Sequence, residues 1–371
     1  MPDKLRIAYF VHSIRSDWNN GNAHFLRGLI REFGARGHEA VVFEPRNEWS
    51  IENLLTEPEG DAALVKFHQA YPELRIQLYE SENIANVAIW HRLLDDFDIV
   101  IAHEWNPAAL AHTLLQLRKE LGYKLLFHDT HHRASSSPEQ IRLLGVDCFD
   151  GVVAFGEALR DIYRSRWGMH DVWTLHEAAD TKLFQPLSGV PKSQDVVWIG
   201  NWGDEERSQQ IREFILGPAS LMPERRFAIY GVRYPSDALD ALKALKVEYR
   251  GYLPNLGAPC VYAASRLTVH IPRQQYVQAM TGIPTIRVFE ALACGIPLVS
   301  APWSDTEGLF REGDFMFVSD GEAMRSAIAR LLDDPAEAQE QALRGRETVL
   351  ARHTCAHRAA ELEAICREVL A

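Results

Sequence analysis

Basic residues are scarce in this sequence: 39 Lys and Arg stand against 51 Asp and Glu, a formal net charge of -12. Binding to a phosphate backbone relies on clustered cations, so a nucleic-acid groove is disfavoured, as is a broad basic membrane face. Long apolar runs are also missing. No stretch approaches the roughly 20 residues that a helix needs to cross a bilayer, which leaves at most weak peripheral membrane association. Nothing near the N-terminus reads as an apolar signal core with a cleavage site, so a cytoplasmic setting is expected. Cysteines number five, are scattered and form no CxxC, which excludes a disulfide framework and points to reduced thiols. A G-x-G-x-x-G turn is absent as well. Neither Gly200-Asn201-Trp202-Gly203 nor Asn20-Gly21-Asn22 satisfies it, which disfavours a nicotinamide dehydrogenase. Internal repeats and low-complexity tracts are likewise lacking.

What is present is alternation. With 371 residues, 47% of them hydrophobic, the chain suits two α/β domains better than one core. Apolar runs at 5–11, 39–44, 98–103, 124–127 and 151–155 read as buried strands, with helical patterns at 21–36, 107–121 and 157–166. A second series places strands at 195–199, 227–230, 267–271, 297–300 and 315–318. Its helices fall at 204–216, 237–245, 285–294 and 321–332. Strands alternating with helices imply parallel sheets covered on both faces. The polar, Pro- and Gly-containing stretch 185–194 reads as a linker. The expected organisation is therefore a Rossmann-like N-terminal domain over 1–184, a second over 185–355, and an amphipathic helix over 356–371 that packs on either one.

Ligands of open parallel sheets sit at the carboxyl ends of the strands, so the loops after strands carry the chemistry. The segment Thr281-Gly282-Ile283-Pro284-Thr285-Ile286-Arg287-Val288-Phe289-Glu290 stands out. Pro284 suits a first helical turn, where its missing N–H costs nothing. The amides of Thr285 and Ile286 would then meet a diphosphate without many cations. Glu290 lies in an otherwise apolar helix, where a carboxylate needs a partner. Either a ribose diol or an i,i+3 ion pair with Arg287 supplies one.

The run Glu290-Ala291-Leu292-Ala293-Cys294-Gly295-Ile296-Pro297 resembles the donor-binding helix of retaining GT-B glycosyltransferases. Their pattern is E-x7-E followed by A-x-x-x-G-x-P, and Arg-x-Phe-Glu-Ala-Leu-Ala-Cys-Gly is similar to the spore-maturation-type subgroup of the family 4-like enzymes. The first Glu of the pattern falls on Gly282, a departure that leaves the donor sugar undefined. The resemblance implies a GT-B architecture, two Rossmann-like domains facing each other across a cleft. It also implies transfer from a nucleoside diphosphate sugar to a hydroxyl acceptor, with no metal or other cofactor. It assigns Glu290 to the ribose, and Arg207 and Arg273 to the diphosphate together with Asn201 after the strand 195–199. Tyr252 and Leu253 bracket the nucleobase, Gly21 approaches the donor, and His128 stands at the sugar pocket as the catalytic candidate. The segment 175–186 resembles the family's interdomain crossover, with Asp180, Phe184 and Pro186 kept.

Rival readings accompany these. His128, Asp129, His131 and His132 offer metal-ligand types without a recognised metal spacing, and His128 also suits a satisfied structural role. Arg207 and Arg273 could equally be solvated surface cations, and Tyr252 part of an ordinary turn. Alternative functions are a sugar-nucleotide epimerase of the same architecture and a non-catalytic nucleotide-sugar-binding protein.

Overall fold

A computed structural model describes residues 3–203 and 205–371. Asp204, the first residue of the helix expected over 204–216, lies outside the described residues. The chain divides into two compact units, Met1–Glu177 with Cys355–Ala371 and Ala178–Thr354.

The first unit is built on a seven-stranded parallel sheet. Its strands are β1 (Arg6–Phe10), β2 (Glu39–Pro45), β3 (Arg75–Tyr79), β4 (Ile99–His103), β5 (Lys124–Asp129), β6 (Gly151–Ala154) and β7 (Val172–Thr174), in the order β3-β2-β1-β4-β5-β6-β7. The central strands are apolar on both faces because helices cover both, and Ile99, Val100, Ile101, Leu125, Leu126 and Phe127 are all buried. Phe10 stacks on Phe43 at 4.8 Å and meets the edge of Trp90 at 5.4 Å. Each such burial contributes about 1.5–3 kcal/mol. The last helix, Cys355–Leu370, packs on Ala23–Ala35 within this unit. Its Glu363 accepts from Arg36 at 2.8 Å, and Arg358 donates to the His176 carbonyl at 2.9 Å.

The second unit carries a six-stranded parallel sheet of β8 (Gln194–Ile199), β9 (Phe227–Tyr230), β10 (Glu248–Tyr249), β11 (Ser265–His270), β12 (Leu298–Ser300) and β13 (Met316–Phe317). The order is β10-β9-β8-β11-β12-β13. Trp198, Phe214, Ile215, Leu242, Leu267 and Ile328 belong to one core cluster beside this sheet. The helix Glu205–Ile211 runs into a π-turn over Arg212–Leu216, so the expected single helix changes pitch midway. Both sheets reverse strand order beside their first strand, between β1 and β4 and between β8 and β11. Crevices that take ligands open at such points. Among the described residues, no helix is long and apolar enough to cross a membrane.

Candidate functional site

In the second unit, register decides which side chains meet. β11 and β12 pair so that His270 stands opposite Ser300. Nδ1 of His270 lies 2.8 Å from the Ser300 hydroxyl, which itself donates to the Ala301 carbonyl at 2.9 Å. The imidazole therefore carries its proton on Nδ1 and gives it to Ser300. Nε2 is left as the acceptor for the Thr285 hydroxyl at 3.0 Å. Burial, then the nearby Arg207 charge, lowers the His270 pKa to about 3, so the ring is neutral. His270 was not among the residues singled out from the sequence. The only signal is a polar residue closing the apolar strand Leu267-Thr268-Val269.

The helix expected at 285–294 spans Ile286–Ala293. Thr285 is its N-cap, in extended conformation, and its side chain makes no capping bond to the first turn because the hydroxyl is held by His270. Pro284 stands before this cap and not within the first turn, since the chain turns helical only after Thr285. The first amides of a helix have no internal acceptor, and here no side-chain cap replaces one. Trp303 fixes the approach to the helix by donating to the Ile283 carbonyl at 3.0 Å.

Glu290 is fully buried, and Arg287 Nη1 donates to its Oε2 at 2.5 Å. The i,i+3 pair is thus realised, with the guanidinium a quarter exposed. Gly282, where the family pattern has its first Glu, adopts φ +95°. A Cβ there would lie 2.4 Å from Thr306 Oγ1 and 2.7 Å from Glu307 Cγ. The backbone and its neighbours both require glycine, so the departure from the pattern is structural.

Arg207 is the third residue of Glu205–Ile211, its guanidinium 5.4 Å from the centre of the Trp198 ring. Arg273 follows β11 by three residues, half-buried, and its carbonyl accepts from Tyr276 at the start of Gln274–Gln278. Asn201 Oδ1 accepts from the Val232 amide at 2.9 Å, so this expected ligand contact braces two strand-end loops. At Gly231 a Cβ would fall 2.0 Å from the Gly200 carbonyl oxygen, which shows how tightly those loops pack. Tyr252 and Leu253 are half-buried just beyond Gly251, whose carbonyl accepts from Gly231 at 2.8 Å. The structure thus gathers Arg207, His270, Thr285 and Ser300, keeps Arg273 on the same strand end, and ties Asn201 into the frame.

The first unit gathers a different set. β4 and β5 pair with His103 opposite His128. His128 is wholly buried, its ring 5.5 Å from His103 and 6.4 Å from Phe25. The Tyr9 hydroxyl, kept protonated by burial, and His128 Nδ1 share a hydrogen bond of 2.5 Å. The expected sugar-pocket histidine is therefore a core residue, neutral because burial lowers its pKa to about 3. Its Nε2 meets no hydrogen-bond partner among the described residues. His103 gives Nε2 to the Thr130 hydroxyl at 3.0 Å, and Thr130 also receives Asn22 Nδ2 at 2.9 Å and donates to Glu104 at 3.0 Å. Glu104 and Asp129 are fully buried neighbours. Desolvation raises Glu104 well above the usual carboxylate range and Asp129 to about 6. Arg133 bonds Glu104 at 3.2 Å, and Tyr163 donates to Asp129 at 2.6 Å.

Gly21 lies in the turn before Ala23–Ala35, but Asn19 takes the left-handed backbone there, at φ 50°. Buried Arg27 braces the loop through the carbonyls of Ile14 and Arg15. Glu44 accepts the amides of the same two residues. Among the described residues, no group of three or more His, Cys, Asp or Glu is arranged to hold a metal ion. Asp129 is taken by Tyr163 and His128 by Tyr9.

Residues 19–183 match the family model described as Glycosyltransferase Family 4, and residues 207–364 match that described as Glycosyl transferase-like. No curated protein matches the chain in sequence. Sucrose-phosphate synthase from Thermosynechococcus elongatus superposes with a TM-score of 0.67 at 16% identity, over 98% of this chain and 99% of that one. Anabaena HepE, solved with UDP and glucose, gives 0.70 at 15% identity, over 98% and 100%. A glycosyltransferase from Rickettsia africae gives 0.69 at 14%, over 100% and 99%. At these identities the likeness is one of fold, and the fold is GT-B.

Proposed function

We propose that the chain is a glycosyltransferase that moves a hexose from a nucleoside diphosphate sugar to a hydroxyl acceptor with retention of configuration. The observation that carries this reading is the corner at Thr285. A helix N-terminus without a side-chain cap lies beside a neutral His270, with Arg207 near that ring and Arg273 on the same strand end. Uncapped helix amides with nearby guanidinium groups stabilise the charge that grows on a departing diphosphate. Glu290, held by Arg287, grips the ribose. Tyr252 and Leu253 border the base, which is uracil on the precedent of HepE solved with UDP-glucose. Retention and the spore-maturation-type subgroup rest on the motif at 287–295. No metal is required in this reading, since the cationic and amide groups take the role of neutralising the leaving group. A cytoplasmic setting suits five free cysteines.

Incubation with UDP-glucose, UDP-galactose, UDP-N-acetylglucosamine and GDP-mannose tests it, with chelator present. Release of nucleoside diphosphate from one of them is expected. If none is turned over or bound, the proposal fails. The tight packing at Gly282 favours one rival, a chain that holds the donor without transferring it. Binding without release across an acceptor panel would select that rival.

A further inference from the structure

Around the reversal of strand order in the first unit, two tryptophans flank one buried histidine and a third packs behind them. His12 follows β1 and is 6% exposed. Trp49 lies nearly parallel to its ring, with centroids 6.3 Å apart and planes within 6°, and Trp105 meets it edge-on at 6.4 Å. Trp18 packs against Trp49 at 5.8 Å and is anchored by its indole N–H to Glu57 at 2.9 Å. Arg133 stacks on Trp105 at 3.9 Å. These contacts hold the indoles in place, yet Trp49 and Trp105 each remain 42% exposed. Half-exposed indoles at the carboxyl ends of sheet strands offer an aromatic surface where ligands of such sheets bind.

The floor beneath them is polar and electrically neutral. His12 Nδ1 meets no hydrogen-bond partner among the described residues. Burial, then the Arg133 charge, brings the His12 pKa down to about 4, so the ring is uncharged. The Arg133 charge is paired with Glu104 at 3.2 Å. A lipid phosphate or a carboxylate would find no net cation here. An aryl alcohol would use the indoles but waste the imidazole. A pyranose uses both: its axial C–H faces are apolar and slightly positive against the negative π face, and its hydroxyls seek unsatisfied ring nitrogens.

We propose that Trp49 and Trp105, over the His12 floor, bind the terminal pyranose of a neutral carbohydrate acceptor. The inference rests on the transferase reading for what the bound sugar does, but its binding is measured separately. Saturation-transfer NMR with methyl glucopyranoside, methyl galactopyranoside and methyl mannopyranoside tests it, with 4-propylphenol and glycerol phosphate as controls. At least one glycoside shows saturated ring protons with the wild-type protein. Its affinity weakens roughly tenfold in Trp49→Ala and in Trp105→Ala, the size of one aromatic contact, and largely returns in Trp49→Phe. On unsubstituted protein, the same glycoside shields Trp49 and Trp105 from oxidation by N-bromosuccinimide, read by peptide mass spectrometry. The proposal is overturned if no glycoside binds, if 4-propylphenol or glycerol phosphate binds in its place, if both alanine variants bind as wild type, or if neither indole is shielded. Calorimetry with UDP on the same variants separates the two claims. Retained UDP binding with lost glycoside binding supports this site, whereas absent UDP binding in the wild type strikes only the donor reading.

Discussion

The two units share a strand order around their central strand and diverge in what they place at its end. At the end of β4 and β5, ionisable groups are sunk into the core. His103 and His128 are neutral, burial pulls Glu104 and Asp129 toward their protonated forms, and aromatic rings meet solvent. At the end of β8 and β11, one neutral histidine is buried while Arg207, Arg273 and Arg287 stay partly exposed beside a helix N-terminus. The same scaffold therefore presents a neutral aromatic surface in one copy and a cationic, amide-rich corner in the other. Strand order fixes where a site opens, and the side chains at the strand ends fix what it accepts.

The contrast breaks most visibly if cations matter equally in both units. Substituting Arg207 and Arg273 together by alanine should weaken UDP binding by at least about 100-fold, given about 1.5–3 kcal/mol for each charged hydrogen-bonding group. Arg133→Ala should change UDP affinity less than about twofold, because its charge is spent on Glu104. Calorimetry decides, and comparable losses would erase the distinction. Next in size, Arg287→Ala leaves the buried Glu290 carboxylate without its guanidinium. It should cost about 2 kcal/mol, or roughly 4–8 °C in Tm, less than a fully buried pair because Arg287 is partly solvated. An unchanged Tm would mean the pair is not a structural necessity. Thr285→Val removes the hydroxyl that His270 holds and should cost about 1 kcal/mol, seen by denaturant titration.

The smallest effect sharpens the contrast through pH. Asp129 has its pKa raised in the folded unit, so its contribution is fully present below about pH 4 and is lost as pH rises through about 6. His12 and His128 have lowered values, so theirs is present above about pH 6.5 and is lost as pH falls toward about 3 to 4. The two trends oppose each other between about pH 4 and 6. Asp129→Asn should remove one of them and steepen the acid loss by about 1–2 °C in Tm over that range. A variant whose pH profile overlays the wild type would show that Asp129 does not carry this trend.

The parallel sheets were legible because their inner strands carry apolar runs, as at 99–102 within Ile99–His103 and 125–127 within Lys124–Asp129. The edge strand β3 was not, since Arg75–Tyr79 alternates exposed and half-buried residues like a loop. Nor was Pro335–Arg352, a helix whose sequence is dominated by charged and small residues. In the site, local spacing revealed what is local: the Arg287–Glu290 pair and the helix opening near Thr285. His270 with Thr285, and His12 with Trp49 and Trp105, meet only through strand register and loop packing, which spacing along the chain does not encode. Asn201 and His128 look free as letters. Each is already engaged in three dimensions, by the Val232 amide and the Tyr9 hydroxyl.

Because Cys355–Ala371 folds with Met1–Glu177, the polypeptide passes from one unit to the other twice, at 177–178 and again at 354–355. A protease nick at either passage alone would leave the halves covalently joined through the other. Shortening the chain at 354 would strip the cover from Ala23–Ala35 and harm the half that lies farthest from the cut in sequence. A first half isolated from the chain would need both 1–177 and 355–371 to be complete.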